Sequence, residues 1–172
     1  LRGLPDDDLA AEMFETTQDL CDAAGLSAYE VSNHARSRAE GRHNLVYWRY
    51  GDYAGLGPGA HGRLTLLGTR HATEAIAEPG RWLAAAERGE GMETRTAVAA
   101  ADQAGEYLMM GLRISEGIDL HRHAALAGAP LEPAILEGLS DAGLIAVEGN
   151  RLRTTRQGRL LLNRLIAELL SA

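Results

Sequence analysis

The sharpest chemical feature of the chain is the run Arg42-His43-Asn44-Leu45-Val46-Tyr47-Trp48-Arg49. Imidazole is a common axial ligand for haem iron. Tyr47 and Trp48 offer flat apolar faces with polar tips, which suits a flat macrocycle. Arg42 and Arg49 flank the run, and guanidinium pairs well with the carboxylates of propionate side chains. By residue type alone the run also reads as structure. His43 would then be a satisfied structural residue, Asn44 a turn former, and Tyr47 and Trp48 core.

Other segments carry weaker signals. Gly55-Leu56-Gly57-Pro58-Gly59-Ala60-His61 allows either close backbone approach to a ligand or a strand-to-loop turn with positive φ. It matches no P-loop, and Pro58 spoils a dinucleotide fingerprint. Tyr29-Glu30-Val31-Ser32-Asn33-His34-Ala35 ends an expected strand in polar groups, where β/α barrels often place function; ordinary strand alternation is the other reading. His121 and His123 stand two apart, so they do not share a helix face, and both are expected on a solvated surface. Arg151, Arg153, Arg156 and Arg159 make one segment locally basic, as a DNA-binding wing would be. The corresponding recognition helix, Leu131 to Ala142, holds Glu132, Glu137 and Asp141 and no Arg.

The elements that must position these residues fall into two patterns. Pro5 with Asp6 to Asp8 starts a helix, Leu9, Met13, Leu20 and Ala24 follow at helical spacing, and Gly25 stops it. A strand over 26–32 would complete the αβ half of a β/α repeat. Residues 33–61 lose regular periodicity and carry His34, His43, His61, Tyr47, Trp48, Tyr50 and Tyr53. A long irregular stretch in a compact domain is usually functional or disordered, and its aromatic content argues against disorder. A hairpin turning near Gly68 and a helix from Pro79 to Arg88 come next. Residues 90–94 read as a linker, giving a division into 1–92 and 93–172. The second part predicts helices over 99–113, 120–127 and 131–142. Strands over 144–147 and 151–154 follow, then a helix from the Thr155 cap to Leu170. This is a winged-helix arrangement.

Composition narrows the function classes. The 172 residues carry a net charge of −7, with every base an arginine. An acidic chain repels phosphate backbones in general, so no nucleic-acid partner is expected. No apolar run approaches the roughly 20 residues that span a bilayer. Cys21 is the only cysteine, which excludes an intrachain disulfide and a Cys-rich zinc site. It reads as a small buried hydrophobe on the first helix.

Three stretches together resemble the HemW-type haem chaperones, long labelled oxygen-independent coproporphyrinogen III oxidase-like proteins. They are Tyr29-Glu-Val-Ser-Asn-His-Ala35, Arg42-His-Asn-Leu-Val-Tyr-Trp48 and Gly51-Asp-Tyr-Ala-Gly-Leu-Gly-Pro-Gly-Ala-His61. The likeness continues through Gly111-Leu112-Arg113, Glu116-Gly117 and the stretch from Leu152 to Arg159. It implies an α/β plus α+β architecture: 1–92 as the C-terminal end of a radical S-adenosylmethionine (SAM) β/α partial barrel with a following hairpin and helix, and 93–172 as a winged-helix-like domain. It implies haem binding at His43, Asn44, Tyr47 and Trp48, with His43 as iron ligand and Arg42 and Arg49 as propionate contacts. Asn33 and Ala35 would line a SAM site. Full-length members bind SAM and a 4Fe-4S cluster through a Cys-x-x-x-Cys-x-x-Cys motif. A single cysteine cannot make that motif, so this chain reads as part of a longer apparatus. Haem-acceptor proteins such as respiratory enzymes are the implied partners, with a homodimer as a further arrangement and a cytoplasmic setting. Oxidative decarboxylation of coproporphyrinogen III is the alternative activity, and a winged-helix DNA-binding module the second alternative.

Overall fold

The computed structural model describes residues 3–171. The first helix, α1 (Asp7–Ala23), starts where the acidic cluster predicts. Asp6 caps it, accepting the Leu9 N–H at 2.9 Å, and Gly25 at φ +70° ends the turn behind it. The helix does not bury its apolar stripe. Leu9, Met13 and Leu20 are exposed, Cys21 is half-buried, and Gln18 is the buried residue. Polar contacts fix this helix instead: the Arg156 guanidinium pairs with Glu15 and Asp19, and Gln18 Oε1 lies 3.2 Å from His34 Nε2.

The expected seven-residue strand shrinks to β1 (Ser27–Ala28), which pairs antiparallel with β2 (His34–Ala35). The cause is local. Glu30 is buried, and its Oε1 accepts from the Ser32 amide and hydroxyl, both at 3.1 Å, and from the Asn33 side chain. A side chain that satisfies nearby donors offers the backbone a turn in place of a ladder. The stretch expected to be irregular contains a helix, α2 (Arg42–Trp48).

A three-stranded antiparallel meander follows, ordered β3 (His61–Leu66), β4 (Thr69–Ala75), β5 (Met92–Ala97), with α3 (Pro79–Ala86) between the last two. Leu67 and Gly68 form the hairpin turn with φ +50° and +80°, the left-handed pair that matches strand twist. The expected linker at 90–94 is corrected by β5, whose Thr94 and Thr96 register opposite Glu74 and Ala72.

The remaining chain packs around one core. Its elements are α4 (Ala100–Gly111), β6 (Ile118–Asp119), α5 (Leu120–Ala127), α6 (Pro133–Asp141), β7 (Ile145–Glu148), β8 (Arg151–Thr154), α7 (Arg156–Leu160) and α8 (Leu162–Leu170). The antiparallel sheet runs β6-β8-β7. Leu108, Leu112, Ile118, Leu152 and Leu165 are almost wholly buried at its centre. Each such side chain contributes about 1.5–3 kcal/mol by leaving water. On α8, Leu162, Leu165, Ile166 and Leu169 are buried at the i, i+3, i+4, i+7 spacing of one helix face. Thr155 caps α7 as expected, but the final helix is split at Leu161, whose φ of −108° leaves the helical region.

Candidate functional site: one face of a seven-residue helix

The sequence gives α2 only weak intrinsic support. Gly41 precedes it with no side-chain cap bond, and seven residues make barely two turns. Tertiary contacts hold it. Leu45 is buried beneath it. A Cβ on Gly41 would stand 2.8 Å from the Tyr29 hydroxyl, so glycine lets Tyr29 lie over the helix entry without shifting. At the other end, Arg122 donates to the carbonyls of Arg49 at 3.1 Å and Tyr50 at 3.3 Å while stacking on Tyr107. A cation on the last carbonyls of a helix satisfies both their lone pairs and the helix dipole.

At about 100° per residue, His43 and Tyr47 share one stripe of α2 and Asn44 and Trp48 the next, so the four cover an arc of roughly 140°. The Tyr47 hydroxyl lies 2.8 Å from His43 Nε2, and their rings meet edge-on at 4.8 Å. Tyr47 also meets Tyr53 edge-on at 4.4 Å. His43 is exposed, while Tyr47 and Trp48 are half-buried, each with surface left for a ligand. Trp48 stands between two clefts. One is lined by Glu30, Ser32, Arg159 and Leu161; the other by Glu116, Asp119, Arg122 and Arg151.

The segment after α2 is anchored by a polar network. Tyr50 adopts φ +55°, an expensive region for a bulky residue, and is buried. Arg70 lies 3.8 Å over its ring and donates to Asp52 at 2.8 Å and to the Gly51 carbonyl at 3.0 Å. The Tyr50 hydroxyl donates to Glu106 at 2.7 Å, and Arg63 pairs with the same carboxylate at 2.6 Å. Burial, then the Glu106 bond, pushes the Tyr50 phenol well above its ordinary value. Burial would raise the Glu106 carboxyl, but the bonds from Arg63 and Tyr50 outweigh it and hold it below the usual range. Burial likewise opposes ionisation of Asp52, and the bonds from Thr65 and Arg70 overcome it. Helix α2, the meander and α4 are thereby tied into one frame.

The flanking arginines differ. Arg42 is exposed, and no hydrogen bond or ion pair joins it to another described residue. Arg49 makes a two-pronged pair with Glu116, its Nε 2.9 Å from Oε2. That bond lowers the Glu116 carboxyl and raises the Arg49 guanidinium. Asn33 donates to Glu30, and Ala35 pairs with Ser27 in the small ribbon, so no hydrogen bond ties either to α2. His61 is exposed, 4.0 Å from Glu74. The glycine-rich loop serves its own chain. Gly57 and Gly59 have positive φ, and a Cβ on Gly55 would come 2.5 Å from the His61 carbonyl oxygen.

One expectation for α5 is corrected. His121 is solvated, but His123 is buried with Nδ1 lacking a hydrogen-bond partner among the described residues, and burial lowers its pKa. It follows Leu120 by three, so the helix turns it inward with the core. Arg122 and Arg164 carried no site expectation, and Arg159, which lines a cleft with Trp48, was expected only in a basic wing. The only signal was the local basic density, which pointed to DNA instead. Among the described residues no cluster of three His, Cys, Asp or Glu side chains is placed to hold a metal ion.

Residues 98–161 match the model of the HemN C-terminal domain. The chain is 36% identical, over 97% of its length, to radical S-adenosyl methionine domain-containing protein 1, mitochondrial, of Bos taurus, covering 40% of that protein. It is 34% identical over 93% of its length to heme chaperone HemW of Bacillus subtilis, covering 42% of it. With heme chaperone HemW of Escherichia coli it shares 32% over 95%, covering 43%. The chain thus spans about two fifths of the length of these relatives. Among solved structures, coproporphyrinogen III oxidase (HemN) from Escherichia coli, described as a radical SAM enzyme, superposes with a TM-score of 0.66. That match covers 97% of this chain and 42% of HemN at 18% identity, which shows a shared fold. Over nearly its whole length the chain is similar to the C-terminal portion of the HemW-type branch of the HemN-like radical SAM family.

Proposed function

We propose that this chain holds haem for a chaperone that passes it to acceptor proteins such as respiratory enzymes. The observation that carries this reading is the α2 face, with an exposed imidazole, two aromatic rings and an exposed Arg42 on one short helix, and Tyr53 packed against Tyr47 from beyond it. Relatives named heme chaperone support it.

Haem is cargo here, and the chain's own groups would do three things. His43 offers a nitrogen lone pair once Tyr47 releases Nε2. Tyr47, Tyr53 and Trp48 offer apolar ring surface that excludes water from the macrocycle. Arg42 meets a propionate directly, whereas Arg49 must first exchange Glu116. A cluster with cysteine ligands finds only Cys21 in this chain, half-buried on α1, and Asn33 is committed to Glu30. We therefore assign neither cluster nor SAM binding to these residues. Both belong to the reading of the full-length protein, as does a homodimer.

The architecture we infer is a barrel-end segment over 1–92 and a winged-helix-like domain over 93–172. The helix order α4, α5, α6 with a sheet ordered β6-β8-β7 supports the second part. The first rests on the likeness to HemN. DNA binding is disfavoured because α6 and its flanks carry Glu132, Glu137 and Asp141 without a base. Identity of 32–34% to HemW against 18% to HemN favours the chaperone over decarboxylation. No described helix is long and apolar enough to cross a membrane. A cytoplasmic setting is the reading that goes with the bacterial relatives, while the animal ones are named mitochondrial.

The test is a haemin titration followed at the Soret band, with His43→Ala beside the wild type. Saturable binding with a Soret position that shifts in the variant is the expected result. Absence of binding, or superimposable spectra, rejects the reading.

A further inference from the structure

Trp48 presents one side to a cleft of about 490 Å³, a size that accommodates a small-molecule ligand. Its opposite wall is the junction of α7 and α8. There Leu160 and Leu161 are both exposed, although each sits in a segment whose neighbours are buried. Arg159 precedes them and Arg164 follows, and both line the same cleft.

The two arginines are chemically idle. No hydrogen bond or ion pair joins either guanidinium to another described residue, whereas that of Arg113 beside them donates to the Met109 carbonyl and to Asn163. Arg159 is half-buried, and its guanidinium is held below its ordinary pKa by burial. A partly desolvated guanidinium without a partner is an uncommon arrangement, because desolvation without pairing is costly. Glu30 lines the same cleft and its charge favours the Arg159 cation, but its Oε1 accepts from Ser32 and Asn33 and no hydrogen bond joins it to Arg159. The cleft thus combines an indole face, two exposed leucines and two uncommitted guanidinium groups. That set fits a flat apolar body bearing carboxylates at one edge.

We propose that Arg159 and Arg164 form the carboxylate clamp for the macrocycle that Trp48 covers, receiving its propionates from the C-terminal side of the cleft. This rests on the haem reading above and shifts the principal anionic contact away from Arg49, which Glu116 holds. It also gives the break at Leu161 a use: the break turns Leu160 and Leu161 outward between the two arginines.

The test titrates the protein with haemin and with haemin dimethyl ester, whose carboxylates are blocked, following the Soret band. Wild type is compared with Arg159→Gln, Arg164→Gln, the double variant and Arg159→Lys, each checked for folding by circular dichroism. Wild type binds the ester at least about tenfold more weakly than haemin, the scale of one charge-assisted hydrogen bond. The double variant loses that discrimination, and Arg159→Lys retains part of it. Equal wild-type affinity for haemin and ester overturns the clamp, whether or not the variants fold. So does a folded double variant that binds haemin as wild type does. In both cases the haem reading stands if His43→Ala still moves the Soret band. Failure of wild type to bind haemin at all overturns both.

Discussion

The Tyr47 hydroxyl stands 2.8 Å from His43 Nε2, one helical turn along the same stripe of α2. Nε2 is therefore already engaged, and metal ligation through it must displace this bond. Tyr47→Phe removes the competitor. It keeps the His43-dependent Soret band and binds haemin as tightly as wild type or several-fold tighter. A Tyr47→Phe variant with the spectrum of His43→Ala would mean that Tyr47, not His43, is the ligand.

Arg49 and Glu116 form an exposed pair, and such pairs contribute on the order of 0–1 kcal/mol. Glu116→Gln therefore leaves stability nearly unchanged in denaturant titrations. It also frees Arg49, so haemin affinity holds or rises. A fall of tenfold would show that the pair shapes the site.

The stability–pH profile falls in two stages on acidification. His123 has a folded pKa lowered by burial from 6.5. The unfolded chain takes up this proton first, so stability declines as pH drops below about 6.5 until the folded value is reached. Glu106 and Asp52 are held below their ordinary values, so their contribution is present at neutral pH and is lost as pH falls through the carboxylate range to their folded values. Urea midpoints across pH for wild type and His123→Leu check the sign. The variant loses the upper stage and keeps the lower. Parallel profiles for the two proteins would place the upper stage elsewhere.

Gly158 sits in α7 with its Cα against the Leu144 carbonyl; an added Cβ would fall 1.9 Å from that oxygen. Gly158→Ala forces β7 and α7 apart and costs roughly 3 kcal/mol or more. Gly138, on α6 with open space around it, is the control. Gly138→Ala is neutral or stabilising by up to about 1 kcal/mol. Thermal melts of the pair separate steric closeness from helix propensity.

Leu67 carries φ +50° at the first turn position of the β3–β4 hairpin and is fully exposed. Leu67→Asn relieves the strain, with no packing to lose, and raises stability by roughly 1 kcal/mol. An unchanged melting temperature would indicate that the turn holds no strain.

Much of the second half was legible because its signals are local. Asp119 caps α5 and Gly128 closes it at φ +80°; Thr155 caps α7, and Gly149 turns β7 into β8. The His43 to Trp48 segment was visible as chemistry but not as a helix, since seven uncapped residues carry too little periodicity. Strand β5 was hidden because Thr94, Arg95 and Thr96 show no apolar alternation; its pairing with β4 supplies what the residues do not. The frame behind the site was invisible for a different reason. Tyr50 and Glu106 are 56 positions apart, Arg63 and Glu106 are 43 apart, and no local pattern joins them.

Arg156 reaches across the molecule to Glu15 and Asp19, so the first helix is moored by charge on its inner side while Leu9, Met13 and Leu20 face outward. Ions act on the two sides in opposite senses. Dissolved salt screens the mooring, and strongly hydrated anions such as sulfate drive the outward leucines and methionine to seek cover. The kind of salt, as much as its concentration, thus tunes how firmly this helix lies against the C-terminal half.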